Sequence, residues 1–578
     1  MPDTGKTKRM VRKMEFRTNG TAEVSRLCDE GGVSYYLIKA AENADAIRVE
    51  WARPMADHVS VWHPMCGRHR ALPQWFCAQK TESCFYRGAP VLATVKADGT
   101  ARETVALQDA ETLSKLSYWV DDFYERDEVI FAVDIYPAKK PYSCVLRIDE
   151  SGLPLEDAIK NVAGWWNKGT EKTVPADAYA PLYSTWYNFH QEPKQDALTK
   201  ELKIAASLGF KTVILDDGWQ IEGKGTKDYL KSGDWLVAKD KFPDFRQFTA
   251  DVHAFGLKLI LWFSVPFVGY ETQAYRRFAN KLLYTEDGYV NAGILDIRYP
   301  EVRQYIVDTY IRFVRDYDID GLKLDFIDSF YSSASVPPCN PQMDCGSVGE
   351  AVTALLTQIK TETETCKPGF LTEFRQFYVG PSVLRFGNMI RVADCAFDSI
   401  TNRIGIADLR MLTADTAVHS DMLLWSPEET PVNCALQMLN IMFGVPQISV
   451  LLGRSTPEQL AAVGDYLRYK EENREILLKG TLHVKHPELG YTAISSENEQ
   501  KKITVLYGET ACEFGGKTED IWNAADKDGI VLLNREKADL HIRVFDFSGN
   551  PLCSFTSKEA ACFVEVPLTG RVTVQKAE

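Results

Sequence analysis

The chain has 578 residues, 45 % of them hydrophobic and 25 % charged, with a net charge of −14. This is the composition of globular, water-soluble material long enough for two or three domains, and its acidity excludes nucleic acid or an anionic membrane as main partner, because phosphate binding relies on clustered Lys and Arg. No run of about eighteen apolar residues offers a membrane span.

The thirteen cysteines are scattered and odd in number, which fits reduced thiols and a cytoplasmic location better than a disulfide framework. A basic cluster, Lys6 to Lys13, has no apolar stretch after it, so a secretory signal is not expected.

In chain order, residues 1–176 carry short strand-like segments such as Val59–Trp62, Val129–Tyr136 and Ser143–Ile148, with turn signals at Gly88 and Gly99. They predict an N-terminal β-sandwich. Within it, His63, Cys66 and His69 have metal-ligand spacing but no fourth ligand nearby, so no metal is expected. The stretch His63 to Trp75, with Arg68 and Arg70, reads as a polar surface loop that could extend over a neighbouring pocket.

Residues 177–475 alternate short apolar strands with helical stretches. Eight candidate strands lie around Leu182, Val213, Leu259, Leu322, Phe370, Ile390, Met422 and Ile448, the number a closed (β/α)8 barrel requires. Helices are predicted over Val302 to Arg315, Val352 to Ile359 and Pro457 to Glu475. Residues 476–578 return to alternation, as in Ile503–Tyr507 and Leu540–Phe545, and predict a small C-terminal β domain.

In such a barrel the chemistry sits at the C-terminal ends of the strands. Those ends carry Trp186 on the first strand, Asp216-Asp217-Gly218-Trp219 on the second, Trp262 on the third and Lys323-Leu324-Asp325 on the fourth. Glu373 and Arg375 end the fifth, and Arg391 and Asp394 the sixth. Carboxylates that accept hydroxyl hydrogen bonds, with aromatic faces for the C–H side of a pyranose, describe a sugar site. No glycine-rich phosphate loop is present. An ammonium two residues from a carboxylate keeps it ionised, as a covalent nucleophile requires; a structural ion pair is the alternative. Trp186 and Trp262 are expected to wall the pocket, and Trp219 to pack in the core.

These motifs, in this order over roughly 240 residues, resemble glycoside hydrolase family 36, the α-galactosidase and raffinose-synthase group. The resemblance implies a retaining enzyme with Asp325 as nucleophile and Asp394 as general acid/base. It implies substrate contacts from Asp216, Asp217 and Lys323, an oligosaccharide or glycoside as partner, no cofactor, and possible homo-oligomers. Asp398 is a rival for the acid role and Arg391 could hold Asp394 ionised; both, with Arg375, are also candidate substrate contacts. Asp320 and Asp328 are weaker nucleophile candidates, at a strand start and in a loop.

One segment departs from the family pattern. Where typical α-galactosidases have a glycine-rich Cys segment after the fifth strand, this chain has Glu373 to Pro381. Arg375 or Glu373 is therefore expected to select a differently substituted or anionic sugar. Transglycosylation is the alternative activity, and a non-catalytic carbohydrate-binding barrel the remaining one.

Overall fold

The computed structural model describes residues 14–75, 79–121, 128–169, 172–220, 228–288, 290–330, 336–375, 377–413 and 415–577; the basic cluster Lys6 to Lys13 lies outside them. The N-terminal part is a sandwich of a six-stranded and a four-stranded antiparallel sheet. Strand Ile47–Pro54 shows why: residues 47, 49, 51 and 53 are buried and those between are half-buried, so one face meets the opposite sheet. Trp51 stacks on Phe131 at 5.4 Å. The buried Glu103 accepts from Trp51 Nε1 and from Arg53 Nε at 3.0 and 2.7 Å, so its charge is compensated. Helix α1 (Leu155–Trp166) leads out of the sandwich.

Eight barrel strands follow: β1 (Leu182–Ser184), β2 (Thr212–Leu215), β3 (Lys258–Ser264), β4 (Gly321–Asp325), β5 (Leu371–Arg375), β6 (Met389–Arg391), β7 (Ala417–His419) and β8 (Gln447–Ile448). Neighbours pair in parallel in one sheet ordered β7-β6-β5-β4-β3-β2-β1-β8, and a parallel bridge between His419 and Val445 joins its two edges. The central strands are buried along almost their whole length, so apolar residues fill most of their positions and the charges of Lys323 and Asp325 stand out. Helix α2 (Trp186–Phe189) is a single turn after β1. Helix α3 (Pro300–Tyr317) and helix α4 (Val348–Cys366), the latter opened by a Ser347/Glu350 capping box, enclose the predicted helical stretches; helix α5 (Ser399–Leu412) follows β6.

One expectation needs correction, and one element is new. The seventh strand is Ala417–His419 and not at Met422; the chain past it stays extended and Leu423 bridges Ile448, which gives Met422 its strand-like surroundings. Between β3 and β4 the chain inserts a three-stranded antiparallel sheet of Phe267–Gly269, Leu282–Glu286 and Ala292–Leu295. Its first strand follows β3 so closely, across Val265-Pro266, that the two read as one apolar run.

The C-terminal part is a seven-stranded sheet facing a three-stranded one, around Ile521, Leu532, Ile542 and Val572. All three parts meet at Asp408 on α5. It accepts two hydrogen bonds from Arg70 at 3.0 and 2.8 Å and one from Trp62 Nε1 at 2.8 Å, while Arg70 also donates to Tyr491 Oη at 2.8 Å. Arg70 and Asp408 are each 2 % exposed, so this is a compensated buried pair. The loop from His63 to Trp75 thus docks on the barrel's sixth unit. Within it, His63 Nδ1 accepts from the Met65 amide at 3.3 Å, and burial pushes the Cys66 thiol up to about 11, away from the thiolate a metal would need. Among the described residues no group of three or more His, Cys, Asp or Glu could hold a metal ion, no helix is long and apolar enough to cross a membrane, and all twelve cysteines are free.

Candidate active site

Strand periodicity sends Lys323 and Asp325 to the same side of β4, and the contacts they make fix that side as the barrel interior. Asp325 Oδ1 receives the Phe326 amide at 2.7 Å and the Tyr378 hydroxyl at 3.2 Å, and is ion-paired with Arg375, whose Nε lies 2.7 Å away. Its Oδ2 receives Trp262 Nε1 at 3.1 Å. Burial would raise this carboxyl, but Arg375, Lys323 and the Trp262 N–H outweigh it and hold Asp325 below the ordinary carboxylate range. One oxygen is therefore saturated with donors and the other is held by one.

Arg375 is itself fixed. Its guanidinium lies 5.2 Å from the centre of the Phe326 ring and 5.5 Å from that of Phe377, Nε is 3.0 Å from Tyr378 Oη, and Nη2 is 3.6 Å from Asp328 Oδ1. Two carboxylates already claim its charge, which corrects the expectation that it selects an anionic sugar. Burial raises Asp328, whose Oδ1 makes no hydrogen bond.

Just past β2, Asp216 is 2 % exposed and pairs with Lys323 Nζ at 2.6 Å. Asp217 accepts from Gln191 Nε2 at 2.8 Å and Gln220 Nε2 at 2.6 Å. The turn beyond requires Gly218: its φ is +113°, and a Cβ there would come within 2.5 Å of the Gln191 backbone.

Trp262, expected to stack on a sugar, is instead 1 % exposed, with Tyr229, Trp235 and Phe326 around its ring, and serves Asp325 through its N–H. Trp219 lies in the aromatic core against Phe263 and Phe313, as expected. Trp186, on α2, is half-buried and edge-on to His190 at 5.3 Å.

Across from β4, Arg391 on β6 is 1 % exposed and engages Asp421 Oδ1 at 2.5 Å, the Val392 carbonyl at 2.9 Å and Asp394 Oδ1 at 2.8 Å. These contacts occupy a guanidinium that had been expected to touch substrate. The Asp394 side chain is 54 % exposed. Partial burial raises it, yet Arg391, Lys323 and Arg375 together pull it down to about 2. Lys323 and Arg375 act on both Asp325 and Asp394, so the two carboxyls share one electrostatic environment. Asp398 caps α5: its oxygens accept from the Thr401 amide at 3.0 Å and hydroxyl at 2.7 Å and pair with Arg68. Oxygens so engaged are those a substrate contact would need.

Beneath both carboxyls lies Glu373, fully buried, accepting from Gln447 Nε2 at 2.5 Å. Burial, only partly offset by Lys323 and Arg391, lifts it to about 7. Sequence reasoning missed Tyr378, Tyr187 and Asp421 as site residues. Asp421 accepts from Tyr187 Oη at 2.9 Å and from the Cys395 amide at 2.7 Å, fixing the chain just beyond Asp394. A seventh strand placed at Ala417–His419 would have flagged it as a carboxylate just past a strand end.

The melibiase family model matches residues 175–344. Over 149 residues the chain is 31 % identical to the α-galactosidase Mel36A of Lactobacillus acidophilus, an alignment covering 25 % of this chain and 20 % of that protein. Over 147 residues it is 28 % identical to the α-galactosidase AgaA of Geobacillus stearothermophilus, covering 25 % and 19 %. In sequence, then, the chain aligns with about a fifth of the length of these curated relatives. In fold the likeness is wider. A variant of the GH36 α-galactosidase AgaA in complex with 1-deoxygalactonojirimycin superposes with a TM-score of 0.66 at 14 % identity, over 98 % of this chain and 87 % of that one. Another AgaA variant, in complex with raffinose, gives the same figures. Residues 175–344 thus resemble the melibiase family in sequence, and the chain as a whole shares the fold of these GH36 α-galactosidases.

Proposed function

We propose that this chain is a retaining α-glycosidase of the α-galactosidase kind, acting on a terminal α-linked sugar of an oligosaccharide or glycoside. The observation that carries the reading is Asp325: a buried carboxylate at a barrel strand end, kept ionised, with Oδ1 held by two donors and the Arg375 cation and Oδ2 left with one donor. Oδ2 attacks the anomeric carbon as the bond to the leaving oxygen breaks, and Asp394 gives that oxygen its proton. Water then loses a proton to Asp394 and displaces Asp325, restoring both groups.

The acid role makes a demand on Asp394. In the open site it is ionised, so substrate must raise it; covering a half-exposed carboxyl beside the Asp325 anion acts in that direction. Asp216, Asp217 and Lys323 form the wall for the sugar's hydroxyls, with the charge of Asp216 matched by Lys323. Of Trp186, Trp219 and Trp262, Trp186 is the one left partly open to a ligand.

The test is a panel of aryl α-glycosides with the wild type, Asp325→Ala and Asp394→Ala, each with and without azide. Turnover of the α-galactoside, lost in Asp325→Ala, is expected. Azide should rescue the two variants with opposite product configuration, β from Asp325→Ala and α from Asp394→Ala. Folded wild type that cleaves no α-glycoside overturns the reading.

A further inference from the structure

Each of the two carboxylates is followed by a phenylalanine in the left-handed region, Phe326 at φ 62° directly after Asp325 and Phe397 at φ 62° three residues after Asp394. Bulky side chains rarely adopt this conformation, and where they do the strain marks a position held for a purpose. For Phe326 the purpose is visible: its amide serves Asp325 and its ring packs against Phe267 at 4.7 Å and under Arg375. Phe397 is the opposite case. Its side chain is 72 % exposed, the most open of the large hydrophobic residues described, and among the described residues no ring and no cation packs on it.

The turn that displays it is tied down at several points. The Cys395 amide is tied to Asp421 at 2.7 Å, the Asp398 amide closes the turn on the Cys395 carbonyl at 2.9 Å, and Asp398 is locked to Thr401 and Arg68. Phe397 occupies the turn's third position, where a positive φ normally calls for glycine. Exposure and strain thus fall together on one residue of a fixed turn.

From this we propose that Phe397 is the platform for the leaving group, an aromatic face on which the sugar beyond the scissile bond lies, with the half-exposed Arg68 at its polar edge. The inference rests on the acid role proposed for Asp394. A general acid must stand within hydrogen-bond reach, roughly 2.6–3.2 Å, of the glycosidic oxygen. Whatever is attached to that oxygen begins beside Asp394, and the turn brings Phe397 to the same rim. The chemistry selected is a leaving group with a flat C–H face, as in a pyranose, and with hydroxyls that Arg68 can meet.

The test uses the full chain carrying Asp325→Asn, which binds without turnover, and measures galactose and raffinose binding by calorimetry, with thermal melting alongside. Adding Phe397→Gly relieves the strain, so the melting temperature should hold or rise, while raffinose binding weakens roughly three- to tenfold and galactose binding stays as it was. Phe397→Tyr should keep raffinose affinity. Raffinose affinity unchanged by Phe397→Gly, or galactose and raffinose weakened alike, overturns the platform. Galactose failing to bind Asp325→Asn in any background overturns the proposed function itself, and the platform with it.

Discussion

The ends of β4 and β6 carry the two carboxylates, and they are built on opposite terms. Asp325 is enclosed, with three donors on its two oxygens and a paired guanidinium lying among aromatic rings. Asp394 stands half in solvent with one guanidinium behind it. A group that must hold one charge state throughout is well served by enclosure. A group that must gain a proton and give it away needs an environment that substrate can change, and only an open position provides one.

Substitutions at the two ends should separate these roles. The largest effect is expected for Asp325→Asn, a loss of about four orders of magnitude or more in kcat with every substrate, read by steady-state kinetics. Asp394→Asn should cost roughly a hundred- to ten-thousand-fold on sugar leaving groups and far less on a dinitrophenyl glycoside, which leaves without a proton. Equal losses on both substrates would erase the distinction between the two ends.

Arg375→Met comes next. Without the cation, burial weighs more at Asp325, so its pKa rises and the acid limb of kcat/KM moves up, with Arg375→Lys restoring part of the shift. An acid limb that stays in place would mean that the clasp on Asp325 is packing alone. The smallest effect concerns the floor that both ends share. Glu373 titrates near 7 in the folded protein against an ordinary 4.5. The folded state therefore binds more protons than the unfolded one between those values, and stability falls as pH rises from about 4.5 to 7. Glu373→Gln should flatten that slope, worth up to ~3 kcal/mol, in denaturant melts at pH 5 and pH 8.

Period-two spacing made Lys323 and Asp325 legible from sequence, because two residues along a strand share a face wherever the strand lies. Asp216-Asp217-Gly218 was legible for a similar reason, the glycine fixing the turn. The clasp of Arg375 and Tyr378 on Asp325 was not, since it depends on how β4 and β5 sit side by side and on a ring stack that no spacing encodes. Trp262 shows the limit from the other direction: its place at a strand end was read correctly, yet whether an indole offers its face or its N–H is decided by the rings packed around it. Asp421 was lost to a shift of a few residues in β7, and the inserted sheet to a strand break too short to interrupt an apolar run.

The knot at Asp408 bears on how such a molecule can change over evolutionary time. Its members come from the sandwich, the barrel and the C-terminal part, and removing Arg70 would leave a carboxylate buried without its cation, at a cost of about 3–5 kcal/mol. The same α5 begins at Asp398, beside the turn that displays Phe397. The three parts are therefore not cassettes: a sandwich borrowed from another lineage would have to bring a matching arginine at this point, or the rim of the site would shift along with the joint.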